Sequence, residues 1–137
     1  MSAVPFRWSV RVYWEDTDAG GVVYHASYLR FLERARTEYL RHLGIEQEGL
    51  RKDNNVVFVV RDIAIGFHKP ARLDDVLGVT VALVERRPAS LVFQQQILRE
   101  SDAAVLVQAR VRAACVEAAT FRPRPIPDGL FVEIPKA

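Results

Sequence analysis

The chain has 137 residues, of which 50% are hydrophobic and 26% are charged, and its formal net charge is +2. This balance is typical of one globular domain, and the weak charge, with no run of like charges, gives no support for a nucleic-acid partner. No apolar run reaches the roughly 18 residues that a membrane-spanning helix needs. The N-terminal stretch MSAVPFRWSV lacks the pattern of a signal peptide, and the only cysteine, Cys115, excludes an internal disulfide. We therefore expect a cytoplasmic protein with a single domain over residues 1–137.

The first predicted element is a strand over residues 8–15, whose sequence is WSVRVYWE. Its apolar residues alternate with other residues and share one face: Trp8, Val10, Val12 and Trp14. Such alternation predicts a half-buried strand. The glycine pair Gly20 and Gly21 follows this strand and favours a sharp turn of the backbone.

The hydrophobic period then changes to steps of three and four. From about Ala26, the apolar positions at this spacing are Tyr28, Phe31, Leu32, Ala35, Tyr39 and Leu43. The pattern predicts an amphipathic helix of about 17 residues. Ser27 carries the side chain of an N-cap near its start, and Gly44 suits a left-handed stop after its end.

Four stretches rich in β-branched residues follow the helix, at residues 56–67, 76–86, 90–99 and 104–117. The short connections RPAS and ESDA separate the last three, and connections of this length join antiparallel strands. Four of the seven prolines lie beyond Glu117: Pro123, Pro125, Pro127 and Pro135. Because proline cannot lie in a central strand, we interpret residues 118–137 as a tail over the surface.

The predicted order is thus one strand, one long helix and four more strands. A single amphipathic helix must bury its apolar stripe against one sheet. We therefore expect an α+β fold in which the helix lies across a curved antiparallel sheet of five strands. The other face of that sheet and its edges would remain uncovered, which favours an oligomer.

The stretch EDTDAGGVVYHASYL, residues 15–29, is the strongest candidate for chemistry. It places Asp18 and a glycine turn directly before the helix, with His25 at the helix entrance. The first amides of a helix carry positive potential and lack partners, so they can hold a carbonyl oxygen that becomes an oxyanion. A carboxylate across from them is placed to attack the carbonyl carbon or to activate water. The pattern indicates acyl transfer or hydrolysis, and the alternative is an acidic turn in which Asp18 only caps the helix.

Other interpretations of the polar residues fit the pattern less well. Asp16-Thr17-Asp18 after a strand suggests the aspartyl nucleophile of a phosphatase, but that architecture needs a parallel sheet with several helices. A bare metal site would use a mixed set of ligands whose spacing matches no standard cage: Glu15, Asp16, Asp18 and His25. We interpret the remaining candidates as structural residues: Cys115, His42 and His68.

Two stretches of the chain resemble a known family, the hotdog-fold acyl-CoA thioesterases of the 4-hydroxybenzoyl-CoA thioesterase and YbgC type. The first is YWEDTDAGGVVYHASYLRFLERARTEYLRHLGI, residues 13–45, and the second is FHKPARLDD, residues 67–75. The resemblance extends from about Val10 to Cys115. It implies a long helix wrapped by an antiparallel sheet, and hydrolysis of an acyl-CoA or acyl-carrier-protein thioester to a free acid and a thiol.

The resemblance also implies roles for residues of the first stretch. Asp18 matches the catalytic carboxylate of the family. The backbone amide of His25 matches the donor that polarises the thioester carbonyl, and its imidazole is expected to orient substrate or water. Gly21 and Tyr24 belong to the same motif and are expected to contact substrate.

Four further residues carry expected substrate contacts. Tyr13 and Trp14 lie where many members of the family have two tyrosines, so Trp14 supplies no hydroxyl. Arg86 and Arg87 precede the hairpin at Pro88 and resemble basic residues that meet the phosphates of CoA. No metal and no separate cofactor is expected, because CoA is part of the substrate.

The assembly expected from these features is a homodimer with a continuous sheet and two composite sites. The run VVFVVRDIAI, residues 56–65, is apolar enough to pair with its copy in a second chain. The resembling family also contains tetramers made of two such dimers. Two other functions remain open on this fold, namely dehydration of hydroxyacyl thioesters and acyl-thioester binding without catalysis.

Overall fold

The computed structural model describes residues 5–131, which form two helices and five strands. In chain order these are β1 (Phe6–Arg11), α1 (His25–His42), α2 (Gln47–Asn54), β2 (Val56–Phe67), β3 (Val76–Arg87), β4 (Ser90–Arg99) and β5 (Val105–Glu117). The four strands predicted after the helix are confirmed, with ends that differ by at most one residue. The predicted α+β class and five-stranded antiparallel sheet are confirmed as well.

The five strands form one sheet in the order β1-β3-β4-β5-β2, and every neighbouring pair is antiparallel. The two hairpins β3–β4 and β4–β5 account for the centre of the sheet, as their short connections predict. β1 and β2 are not adjacent, although they are the first two strands of the chain. They form the two edges, because β1 pairs with β3 and β2 pairs with β5.

α1 packs across one face of this sheet. Its buried apolar residues are Tyr28, Phe31, Leu32, Ala35 and Leu40. The buried amide of Gln95 on β4 donates to the backbone carbonyl of Leu32 at 3.1 Å, which fixes the helix along the sheet. This arrangement agrees with the hotdog fold that the resemblance implies. Over residues 5–131, no helix combines the length and the apolar character needed to cross a membrane.

The predicted strand over residues 8–15 is too long, because β1 ends at Arg11. A single turn of 3-10 helix covers Trp14–Asp16 instead. The carboxylate of Asp16 accepts the backbone N–H of Tyr13 at 2.8 Å, and this local bond competes with extended structure. Trp14, predicted on the buried face of the strand, is consequently 78% exposed.

The helix ends differ from prediction at the start and agree at the end. α1 begins at His25, so Ser27 lies inside its first turn and does not cap it. The Ser27 hydroxyl instead donates to the carbonyl of Asp16 at 3.2 Å. Gly44 has a φ of +83°, which is the left-handed stop that the sequence predicts.

α2 is a helix that the sequence analysis does not predict. Its eight residues include Gly49 and no buried side chain, so the segment has no apolar stripe for a periodicity analysis to detect. It ends at Asn55, which has a φ of +57°, and the chain then enters β2. Asparagine tolerates this left-handed conformation better than most residues.

The proline-rich tail packs more closely than a surface tail would. The backbone N–H of Arg124 donates to the carbonyl of Cys115 at 3.0 Å, and that of Ile126 to the carbonyl of Pro88 at 2.8 Å. Ile126 and Phe131 are buried in the core. Residues 132–137, including Pro135, lie outside the described residues.

Two leucines on α1 give a matched test of this packing. Leu32 is 0% exposed and Leu29 is 42% exposed. We expect Leu32→Ala to lower the free energy of unfolding by about 2–5 kcal/mol, because it leaves a cavity between helix and sheet. Leu29→Ala should cost less than about 1 kcal/mol. Urea denaturation at one fixed protein concentration measures both, and equal losses would contradict the packing described.

Candidate active site

The segment between β1 and α1 folds into a tight turn that begins at Asp18. The Asp18 N–H donates to the carbonyl of Val22 at 2.9 Å, and the Gly21 N–H donates to the carbonyl of Asp18 at 3.1 Å. Thr17 and Val23 pair as an antiparallel bridge at the base of the turn. Gly21 has a φ of +82°, a conformation that favours glycine. The turn therefore fixes the backbone of Asp18.

The Asp18 carboxylate is exposed and is held by its own turn. Its Oδ1 accepts the N–H of Gly20 at 2.8 Å. A Cβ at Gly20 would lie 3.2 Å from this oxygen, so glycine suits the position. Within residues 5–131, the Asp18 side chain makes no hydrogen bond to α1. The alternative in which Asp18 only caps the helix is therefore not what the structure shows.

The N-terminus of α1 lies close along the chain to this carboxylate and is open. Tyr24 precedes the helix in an extended conformation, and no side chain of the described residues caps it. The first turn of α1 contains no acidic residue. Uncapped amides at a helix start carry positive potential and seek an acceptor. The backbone at His25 is thus free of a competing side chain, as a site for a carbonyl oxygen requires.

Asp16 differs from Asp18 in its burial and in the partners of its carboxylate. It is buried, and besides the N–H of Tyr13 its carboxylate faces the Arg30 guanidinium at 3.6 Å. Its backbone carbonyl accepts the N–H of Tyr24 at 2.9 Å and the hydroxyl of Ser27. Arg30 also donates to the Ser27 hydroxyl at 2.8 Å. Asp16 therefore joins the turn to the first residues of α1.

The second resembling stretch supports the turn from the other side. The Val23 N–H donates to the carbonyl of Ala71 at 2.9 Å, and Val22 pairs with Arg72 as an antiparallel bridge. The Ala71 N–H in turn donates to the hydroxyl of Tyr28 at 3.0 Å. Tyr28 is buried, and this burial raises the pKa of its phenol. Residues 71 and 72 thus lie between the turn and the helix and bind both.

Arg99 anchors the same loop and was not identified from the sequence. Its guanidinium donates to the carbonyl of Pro70 at 2.9 Å, to Asp75 at 3.2 Å and to Asp102 at 2.9 Å. The signal available in the sequence was weak, because an arginine at the end of a strand is usually a surface residue. Tyr28 was predicted only as part of the apolar stripe, where its hydroxyl had no assigned partner.

The aromatic residues predicted to contact substrate surround the turn on the surface. Tyr13, Trp14 and Tyr24 are all exposed. The rings of Tyr24 and His25 contact each other in a tilted arrangement with centroids 4.3 Å apart, and His25 is exposed. A cleft of about 320 Å³ lies beside Tyr13, and its other lining residues are Trp8, Ser9, Val10, Arg11, Glu15, Asp16, Arg30 and Arg34.

The two arginines expected at the CoA phosphates lie in different environments. Arg86 is only 9% exposed, and its Nε has no hydrogen-bond partner among the described residues. Arg87 is exposed, and its guanidinium pairs with Glu85 at 3.1 Å. The bulge between Leu83 and Glu85 explains the difference, because it shifts Arg86 to the face shared with buried Leu91. The burial of Arg86 leaves Arg87 as the residue with ready access to a phosphate.

The remaining candidates stay apart from the turn. Residues 5–131 contain no group of three or more His, Cys, Asp or Glu side chains that would hold a metal ion. Cys115 is buried in β5, and burial raises the pKa of its thiol. His68 contacts Gln108 at 3.2 Å, and the ring of His42 lies tilted against that of Phe6 with centroids 5.3 Å apart.

Known proteins are similar to this chain along most of its length. The family model described as the thioesterase-like superfamily matches residues 12–133. A protein of Escherichia coli O6:H1 named acyl-CoA thioester hydrolase YbgC is 47% identical over 133 residues, 97% of this chain and 98% of that protein. An acyl-CoA thioesterase YbgC of Haemophilus influenzae is 46% identical over 122 residues, 89% of this chain and 88% of that protein. The solved structure of a probable thioesterase from Bartonella henselae has a TM-score of 0.85 and 35% identity, covering 90% of this chain and 100% of that one.

The two aspartates of the turn should separate in their effects on stability. Asp16→Asn removes the charge that faces Arg30 and weakens the bond to Tyr13, so we expect unfolding to need about 1–3 kcal/mol less. Asp18→Asn keeps an oxygen that can accept from Gly20 at the surface and should change stability by less than about 0.5 kcal/mol. Chemical denaturation of both variants measures the difference. A larger loss for Asp18→Asn would mean that the turn depends on its charge.

Proposed function

The chain belongs to the thioesterase-like superfamily, and we propose that it hydrolyses the thioester of an acyl-CoA to a free acid and the CoA thiol. The names of its E. coli and H. influenzae relatives support this activity. The single observation that carries the chemistry is the exposed carboxylate of Asp18 in the turn that directly precedes the uncapped start of α1. A nucleophile or base and an oxyanion site are the two parts that acyl transfer to water needs.

Asp18 acts in this proposal as a general base or as a nucleophile. As a base, it takes a proton from water while the water oxygen attacks the thioester carbon, and the carbon–sulfur bond then breaks with return of a proton to the thiolate. As a nucleophile, its own oxygen attacks the thioester carbon and forms a mixed anhydride while the carbon–sulfur bond breaks, and the CoA thiolate leaves and takes a proton from water. Water then attacks the anhydride, which releases the free acid and restores the Asp18 carboxylate. The hydrogen bond from Gly20 occupies Oδ1 and leaves the second oxygen for either role.

The start of α1 supplies the electrostatic part of the mechanism. The amide at His25 is proposed to donate to the thioester oxygen as negative charge develops on it. Tyr24 and the His25 imidazole lie beside it at the surface, where they orient substrate or water. Tyr13, Trp14 and the backbone at Gly21 complete the proposed substrate contacts.

The active assembly is proposed to be a homodimer. β2 is an edge strand that pairs only with β5 among the described residues, so its second edge is available to a copy of itself. A continuous sheet of two copies would place each turn near the partner chain and form two composite sites. Two such dimers are proposed to associate further, in the cytoplasm, without metal or separate cofactor. An active monomer at assay concentration in light scattering would exclude this assembly.

The second candidate function is an acyl-thioester binding module without catalysis, which the exposed and only partly enclosed turn also permits. A carrier-protein thioester is the alternative substrate. A panel of CoA esters that differ in chain length and aromatic character, with detection of the free thiol, distinguishes turnover from binding. Acyl-carrier-protein thioesters of the same acyl groups test the alternative carrier.

The substitution Asp18→Asn tests the catalytic carboxylate, because it keeps the side chain's size and removes its charge. We expect kcat to fall about 10²–10⁴-fold with little change in substrate affinity. His25→Ala should lower kcat less, because the backbone amide remains. Asp16→Asn is the control for charge in the same turn and should lose less activity than Asp18→Asn. Wild-type turnover by Asp18→Asn would remove the chemical basis of the proposal.

The substitution Arg87→Glu tests the proposed phosphate contact at the surface. We expect it to raise KM for acyl-CoA more than it lowers kcat, because such a contact stabilises ground state and transition state alike. Arg51→Glu is the matched control, since Arg51 is an exposed arginine that also pairs with a nearby glutamate. An unchanged KM in Arg87→Glu would place the phosphates of CoA elsewhere.

A further inference from the structure

The two sides of α1 differ in the residues that they present. One side carries Arg30 and Arg34 toward β1 and lines the cleft beside the turn. The opposite side lines a cavity of about 200 Å³ that opens toward the edge strand β2. The residues of this second cavity are Glu33, Arg36, Thr37, Leu40, Gln47, Phe58, Val60, Phe93 and Ala113.

Arg36 is the unusual residue of this cavity. Its guanidinium turns toward the sheet and donates to the buried amide oxygen of Gln95 at 3.0 Å. Burial lowers the pKa of Arg36, and Glu33 partly offsets that shift. Arg36 is half-buried, and its guanidinium has five donors, of which the described residues engage one. The charged group lies in an open cavity, so an anion that enters this cavity can pair with it.

Glu33 does not serve as that partner within the chain. The spacing of three residues between Glu33 and Arg36 also occurs at Glu38 and Arg41, which form an ion pair, and at Glu48 and Arg51, which form another. Glu33 and Arg36 form none in the part of the chain that the structure describes. Arg36 instead bonds Gln95, and Glu33 remains exposed.

The edge strand beside this cavity is apolar on the same side of the sheet. A bulge between Val60 and Asp62 adds one residue to β2. The apolar side chains before and after the bulge therefore lie on the same face of the sheet, which is the face that α1 covers. This row consists of Phe58, Val60, Ile63, Ile65 and Phe67. Val60 and Phe67 are each 50% exposed, although they lie on the face that bears the core. Phe58 contacts Phe131 and Phe67 contacts Tyr28, whereas Val60 is half exposed beside the free edge of β2. An exposed apolar side chain beside a free strand edge favours contact with another chain.

An antiparallel pairing of β2 with its own copy would bring the two α1 helices together. Such pairing has two-fold symmetry, in which residue i meets residue j of the copy and j meets i. Val60 lines the cavity, so a two-fold axis near Val60 would bring the two cavities to the same interface. A helix face that carries both an acid and a base is self-complementary under this symmetry.

We propose that Glu33 of each copy pairs with Arg36 of the other across the two-fold axis, so that the α1 faces form a reciprocal, charge-paired contact. This inference rests on the proposed dimer and adds to it the pair that selects its register. This contact between the two α1 helices closes both cavities. It also pairs each Arg36 with a carboxylate, which Arg36 does not have among the described residues of its own chain. Pairing of this kind disfavours other registers of the β2 edge, because in them the interface covers Arg36 without a carboxylate opposite it.

Charge reversal tests the pair by sedimentation velocity over a dilution series of the full chain. Glu33→Arg and Arg36→Glu should each raise the dimer dissociation constant at least about 100-fold. Each substitution places two like charges opposite each other in both copies of the proposed Glu33–Arg36 pair. The double variant E33R/R36E restores the opposite charges and should return to within about tenfold of wild type. The matched control Arg34→Glu makes the same charge change on the opposite side of α1 and should stay within about threefold.

The outcomes separate this pair from the dimer itself. If wild type is a dimer and both single variants match it, the ion pair is wrong and the proposed dimer stands. If the double variant is folded by circular dichroism yet stays dissociated, charge pairing is not the cause and the inference fails. If wild type is a monomer throughout the series, the dimer and the pair are both excluded.

Discussion

The constraint on which the site depends is the position of the N-terminus of α1, because the amide field of a helix acts only over its first turn. Three separate bonds hold that end in place. The Gln95 amide fixes the helix along the sheet at Leu32, the Asp16 carbonyl accepts the N–H of Tyr24, and the Tyr28 hydroxyl accepts the N–H of Ala71. Two of these bonds involve buried side chains, where a missing partner is costly. The open amides are therefore presented by a rigid support.

The two aspartates of the turn show how burial divides structure from chemistry. They are separated only by Thr17, yet Asp16 is enclosed and faces Arg30, whereas Asp18 is exposed and bonds only within its turn. The Asp16 carboxylate already contacts a guanidinium and a backbone N–H, so its oxygens are occupied. The Asp18 carboxylate is fixed by a single N–H and keeps one oxygen without a partner among the described residues. The same residue type thus supports the helix at one position and is available for reaction at the other.

The sequence predicts most of the fold because hydrophobic period and turn chemistry agree over residues 56–117. It also predicts the glycine turn that holds Asp18 directly before the long helix, and the structure has this turn, while the catalytic role of Asp18 stays a prediction. It misplaces the end of β1, because the hydrogen bond from the Tyr13 N–H to the Asp16 carboxylate ends the strand. The alternation of apolar and polar residues gives no sign of such a bond. α2 lacks an apolar stripe, and the burial of Arg86 depends on a bulge in β3. Arg99 and the Tyr28 hydroxyl act through contacts between distant segments, which no local pattern encodes.

α1 is the long helix that packs across the sheet, and among the described residues the outer edges of β1 and β2 have no partner strand. The two sides of α1 carry different residues toward these two edges. Toward β1 it presents Arg30 and Arg34 to the cleft beside the turn, where charge suits an anionic substrate. Toward β2 it presents Glu33 and Arg36. These opposite charges form no ion pair within the described residues, because Arg36 bonds to Gln95 instead. Gln95 is common to both arrangements, since the same amide fixes Leu32 and draws Arg36 inward. The Gln95 side chain therefore contacts both the backbone of α1 at Leu32 and the guanidinium of Arg36, so that one buried glutamine links the position of the helix to a residue proposed to meet a second copy.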